Sequence, residues 1–190
     1  RVLVLSVRGA EREGSIWASA EVHDTEGDGA RRLGREEILI QPGGDRQVVA
    51  QWVNALVADD TGMPSSLGSR LLVSAEVARG RKEIALVEAD GLGFSFVTRN
   101  GSINLAPAWG PEGAVGYMSY LRGNPDWVVN GLPFSTRSGL NAAGAWSPDG
   151  TLLALSVAES ANSDLVLLDA KSGVERRRLT HHSGVDTSPS

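Results

Sequence analysis

Three histidines, His23, His181 and His182, hold all the imidazole chemistry of this 190-residue chain, and there is no cysteine to add a thiolate. Hydrolysis through a serine nucleophile would need one of these histidines beside an exposed serine and an orienting carboxylate, and no Gly-x-Ser-x-Gly elbow occurs. His181 and His182 are adjacent, so on an extended segment they point to opposite faces, and no spaced His or Cys completes a zinc set. They read as a loop pair. Asp24-Thr25-Glu26-Gly27-Asp28-Gly29 opens like a calcium loop, with carboxylates at alternate positions and glycine at the sixth. The closing bidentate glutamate would fall at Arg35 and the flanks read as strands, so the segment is expected to be a hairpin turn. Gly27-Asp28-Gly29 equally lacks the strand-to-helix setting of a phosphate cradle. The sequence therefore offers no catalytic residue, no metal ligand and no cofactor site.

The formal net charge of −5 and a single basic run, Arg176-Arg177-Arg178, argue against a nucleic-acid surface. Three arginines at a strand end read as a solvated edge that discourages sheet-to-sheet pairing. No stretch approaches the ~20 apolar residues of a membrane span, so no membrane insertion is expected. The opening Arg1 to Val7 is too short for a signal peptide, and its buried-strand pattern without a cap leads us to expect a segment upstream.

Positioning falls to two kinds of segment. Strands are expected at Val2 to Val7, Ser15 to Val22 and Leu33 to Ile40, with turns at Gly9 to Gly14 and Glu26 to Ala30. Asp45 caps a helix to about Asp60, whose stripe is Val48, Val49, Trp52, Val53, Leu56 and Val57; Thr61-Gly62-Met63-Pro64 stops it. Residues 1–66 thus read as a partial α/β amino-terminal domain, and 67–190 as strands only.

Within the second part, Trp146-Ser147-Pro148-Asp149-Gly150 and its weaker echo Trp109-Gly110-Pro111-Glu112-Gly113 stand 37 residues apart. Proline fixes φ at the second position of a β-turn, Asp or Glu suits the third, and glycine takes the left-handed or bulged position that follows. Each word is a hairpin turn between a short polar strand and a hydrophobic one. Three rounds of roughly 40 residues match the period of propeller blades, and closed propellers need about 4 to 8 of them. The fold expected is a small α+β amino-terminal domain followed by an all-β β-propeller with WD40-like blades, about three and incomplete in this chain. More blades are expected beyond Ser190, which stops one residue short of the next Trp. Trp109 and Trp146 are expected to pack neighbouring blades together, whereas Trp127 and Trp17 read as candidates for exposed contacts.

Several segments resemble the TolB family, the periplasmic propeller component of the Tol-Pal cell-envelope system. They are Ala106-Pro107-Ala108-Trp109, Ala145-Trp146-Ser147-Pro148-Asp149-Gly150-Thr151-Leu152-Leu153-Ala154, Leu165-Val166-Leu167-Leu168-Asp169, and Arg178-Leu179-Thr180 followed by Asp186-Thr187-Ser188-Pro189-Ser190. In order they cover nearly the whole chain. The first turn word departs from the pattern at Gly110 and Glu112, and Gly123 to Trp127 is irregular. The resemblance implies TolB-type blades and a non-enzymatic, monomeric periplasmic scaffold that supports outer-membrane integrity and envelope constriction at division. It implies two protein partners: the peptidoglycan-associated lipoprotein Pal at the propeller mouth, and the inner-membrane protein TolA at the amino-terminal domain. Ala106, Leu140, Ala143, Thr187 and Ser188 match the positions of the Pal-contacting loops. Two alternatives stay open: the substrate-gating propeller of a prolyl-oligopeptidase-like serine peptidase, and a sensor propeller with a small ligand or cation in its channel.

Overall fold

The computed structural model describes residues 3–13, 15–25, 31–40, 45–63, 65–158, 162–181 and 183–190. The chain forms two compact units, Arg1–Ser69 and Arg70–Ser190.

In the first unit β1 (Leu3–Arg12), β2 (Ser15–Asp24) and β3 (Arg31–Ile40) form an antiparallel sheet in that order. The expected turn at Gly9 to Gly14 is shorter than the sequence suggested. Gly9 pairs with Ala18 and Arg12 with Ser15, and left-handed backbone first appears at Glu13, with φ 53°. A single glycine does not break a strand whose neighbours supply a complete ladder. The expected turn at Glu26 to Ala30, and with it most of the calcium-like segment, lies outside the described residues.

The helix α1 (Asp45–Thr61) buries Trp52, while Val48 and Val49 remain exposed, so the expected stripe is covered only from its second turn onward. Gly62 ends it: its N–H donates to the Ala58 carbonyl at 2.8 Å with φ 71°, a left-handed closure that costs glycine little. The chain then folds back along the helix, with the Asn54 side chain donating to the Leu67 carbonyl and the Ser65 hydroxyl to Asn54.

The second unit is strands only, in three antiparallel meanders. The first contains β4 (Arg70–Ala78), β5 (Arg81–Glu88) and β6 (Ser95–Phe96). The second runs β7 (Asn104–Trp109), β8 (Val115–Ser119), β9 (Asp126–Val129), β10 (Leu132–Ser135). The third runs β11 (Leu140–Trp146), β12 (Leu152–Ala158), β13 (Asp164–Asp169), β14 (Glu175–Arg178). Each turn word joins the first two strands of one sheet, with Trp109 opposite Val115 and Trp146 opposite Leu153. The sheets therefore begin one strand earlier than the repeat read from the sequence, at the strand that carries the tryptophan.

Two apolar clusters hold the meanders together. Ile84 of the first sheet packs with Val115, Tyr117 and Val128 of the second. Met118 and Trp127 of the second pack with Leu153, Leu155, Val157, Val166 and Leu168 of the third. Covered on both faces, β8 is buried at all five positions. Trp127 corrects the sequence expectation: it is 0% exposed, inside the second cluster. A Cβ on Gly144 would come within 2.5 Å of its ring, and one on Gly116 within 2.7 Å, so two bare backbones form its slot. Trp146 lies 6.2 Å from it, centroid to centroid, and packs the second and third sheets together as expected. Trp109 is 40% exposed and has the Arg70 guanidinium 5.9 Å from its ring.

The irregular first word also has a cause. A Cβ at Gly110 would meet Trp146 at 3.0 Å, so a serine there would press on the inter-sheet ring. The two words touch: a Cβ on Gly150 would lie 2.6 Å from Pro111. In the second word Asp149 accepts from the Ser147 hydroxyl at 2.6 Å, the Thr151 N–H at 3.0 Å and the Thr151 hydroxyl at 2.8 Å. The Ser147 hydrogen bond, followed by those from Thr151, holds the Asp149 carboxyl down at about 2. A depressed folded-state value means that this turn gains its stability above the ordinary carboxyl range and loses it as pH falls toward about 2. A carboxyl NMR titration is expected to give that midpoint, and Ser147→Ala to move it up; an ordinary midpoint in the parent would refute the turn geometry.

The arginine run is more than a solvated edge. Arg176 donates to Asp169 at 2.7 Å and Arg178 to Asp164 at 2.8 Å, with Arg178 half-buried.

Candidate partner-binding rim

Each sheet after the first is entered through a buried asparagine, Asn104 and then Asn141, and a half-buried Asp186 follows ahead of any further sheet. Both asparagines are 0% exposed. A buried amide must find partners for two donors and an acceptor, and these do. The Asn104 side-chain nitrogen donates to the Lys82 carbonyl at 2.9 Å and to Glu83 at 3.1 Å, and its oxygen accepts from Ser119 at 2.7 Å. Its backbone carbonyl accepts from Ser74 at 2.6 Å. Asn141 donates to the Arg137 carbonyl at 2.7 Å and accepts from Ser135 at 2.8 Å. The Asp186 carbonyl accepts from Ser156 and Ser163, each at 2.9 Å. Ser74 and Ser156 thus grip the carbonyl 30 residues ahead in the same way, tying one sheet to the segment that follows it.

Two residues past each anchor the backbone turns left-handed at a residue that is not glycine: Ala106 with φ 48°, Ala143 with φ 51° and Ser188 with φ 57°. Such a conformation costs an L-residue about 1–2 kcal/mol. In β7 and β11 it coincides with a register shift, between Leu105 and Ala108 and between Ala142 and Ala145. The bulges re-aim these side chains out of the regular pleat.

Of the five residues singled out from the sequence, Ala106, Ala143 and Ser188 occupy one repeated position in three successive segments. Ala106, Thr187 and Ser188 are exposed, and Ala143 is half-buried against the apolar cluster. Leu140 opens β11 opposite Ala158 and packs on the same cluster, so it shares the strand but not the bulge. Ala106 and Ala143 lie within strands rather than in loops. The buried anchors were missed, although Asn104 and Asn141 repeat at the same spacing as the tryptophans. If the bulge is strained, Ala106→Gly should raise stability by about 0.5–1 kcal/mol in urea unfolding without changing the slope. A loss of stability would mean that the left-handed turn is not present.

His23 lies 3.3 Å from Glu21, His181 is exposed, and His182 is outside the described residues. Among the described residues no group of three His, Cys, Asp or Glu side chains is placed to hold a metal ion. No described helix is long and apolar enough to cross a membrane.

Successive antiparallel meanders of three, four and four strands packed face to face, each joined to the next by an anchored linker, define a β-propeller, here with a small α+β unit ahead of it. The three sheets are fewer than a closed ring requires. The family profile described as "TolB beta propeller domain" matches residues 61–190. A Tol-Pal system protein TolB from Desulfosudis oleivorans is 34% identical over 76% of this chain and 34% of its own length. One from Anaeromyxobacter sp. strain K is 31% identical over 94% of this chain and 42% of its own. The crystal structure of TolB from Acinetobacter baumannii superposes with a TM-score of 0.82 at 21% identity, covering 98% of this chain and 48% of that one. The chain belongs to the TolB family. It spans less than half the length of each of these three relatives.

Proposed function

We propose that this chain is part of a non-enzymatic periplasmic scaffold of the Tol-Pal system, which binds a Pal-like lipoprotein at its propeller rim. The observation that carries this reading is the left-handed backbone repeated at Ala106, Ala143 and Ser188. Strain repeated at one position of consecutive blades persists only where the surrounding structure enforces it, and such sites are a recurrent feature of ligand clamps. The buried anchors supply the enforcement, and small side chains leave the rim open to a partner's backbone. Thr187 and Leu140 extend the same surface. The amino-terminal unit, residues 1–66 in this reading, belongs to the domain that reports to a TolA-like inner-membrane protein. Coupling between the two ends, in support of outer-membrane integrity and division, is then mechanical rather than chemical, and the scaffold works as a monomer.

The test is a pull-down of the complete protein with the peptidoglycan-associated lipoprotein of the same cell. Retention at micromolar concentration is expected. A folded propeller that retains none would defeat the reading.

A further inference from the structure

Away from the rim, a cleft of ≈ 280 Å³ opens between the first two sheets of the propeller unit, at the segment that follows β6 and the face of the second sheet turned toward it. Val128 and Pro133 form part of an apolar side, and Arg99 and Arg122 bring two guanidinium groups to it. Asp126 is the one carboxylate among the lining residues. It is 3% exposed, accepts from Asn124 at 3.1 Å and lies 3.8 Å from Arg122, so it is already engaged. The lining keeps an excess of positive charge in a chain that is negative overall.

Tyr117 is the informative residue. It is 4% exposed and lines the cleft, yet no described residue forms a hydrogen bond with its hydroxyl. The ring is buried but its hydroxyl is not sealed off, so it meets the solvent of the cleft and can donate to a ligand that enters there. The neighbouring polar groups do not serve. Ser119 donates to Asn104, and Thr98 donates to Glu83 while accepting from the Ile84 N–H. Among the described residues Arg99 is held by its guanidinium 4.9 Å from the Phe96 ring, which leaves its N–H edges for a ligand.

We propose that this inter-blade cleft binds a small amphipathic carboxylate, whose ring or short alkyl body lies along the apolar wall and whose carboxylate accepts from the Tyr117 hydroxyl and the two arginines. A bidentate guanidinium fits a planar carboxylate, and the phenol supplies the donor that a neutral wall would lack. Burial, followed by the nearby Glu83 charge, pushes the Tyr117 hydroxyl above its ordinary value, so it remains a donor at any pH the protein meets.

Benzoate is the probe, with benzamide as its neutral isostere, titrated into the complete protein with the tyrosine rings followed by NMR. Tyr120, the other tyrosine of this chain and not among the lining residues, serves as the internal reference, each ring signal being assigned by Tyr→Phe substitution. Benzoate is expected to shift Tyr117 saturably while leaving Tyr120 in place, and benzamide to bind about tenfold more weakly. Tyr117→Phe, followed by the remaining ring signals of the protein, and Arg99→Gln are each expected to weaken benzoate about tenfold at an unchanged thermal midpoint. Equal binding of the acid and the amide, full affinity in both variants, or no saturable shift with benzoate at tens of millimolar would each overturn the proposal.

Discussion

Replacing Trp127 with alanine is expected to remove about 3–5 kcal/mol of stability, most of what many domains possess. The reason is where the ring lies. It is fully buried between the second and third sheets, with Trp146 against it and the backbones of Gly116 and Gly144 drawn in on either side. The hole left by the indole cannot close, because the two glycines have no side chains to move into it. Trp109, 40% exposed at the head of the first turn word, should cost about 1 kcal/mol on the same change. Urea unfolding of the two variants side by side reads the difference. Equal losses would mean that Trp127 does not fill the inter-sheet slot.

The second large effect concerns binding. Ala106→Trp is expected to weaken the lipoprotein about a hundredfold or more by steric block at the rim. Stability should change by less than about 0.5 kcal/mol, because the residue is exposed and its left-handed backbone already accommodates a Cβ. Ala143 is the poorer place for this change. It packs against the apolar cluster, so a large ring there would disturb the core and the rim together. A variant that binds as the parent does would place the partner elsewhere on the propeller.

How far these features can be read from the sequence differs by kind. The turn words, the helix stop at Gly62 and most strands of the second unit are local events, set by proline, glycine and alternation, and the residues announce them. The frame of the sheets is not local. A hairpin word pairs the strands on either side of it, but which strand starts a sheet depends on the buried anchors Asn104 and Asn141, whose partners include the carbonyls of Lys82 and Pro125, 22 and 16 residues away. Trp127 misled for a related reason. Its segment lacks the turn word, so nothing nearby marks it as core, and the slot that buries it is made by Gly116 and Gly144 on two different sheets. Glycine is legible as a turn former, not as the space left for another residue's ring. Tyr117 carried no signal at all, since an unpaired hydroxyl is visible only once its surroundings are placed. The rim residues came from family resemblance, and what the fold adds to them is a shared strained conformation that spacing alone could not indicate.

The most direct test of the account is calorimetric titration of the complete protein with the peptidoglycan-associated lipoprotein of the same cell, for the parent and for Ala106→Trp. The account predicts saturable binding at micromolar concentration or below for the parent, and binding weaker by about a hundredfold or more for the variant at an unchanged thermal midpoint. A folded parent that gives no binding heat and no retention on the lipoprotein, or a variant that binds with the parent's affinity, would contradict it.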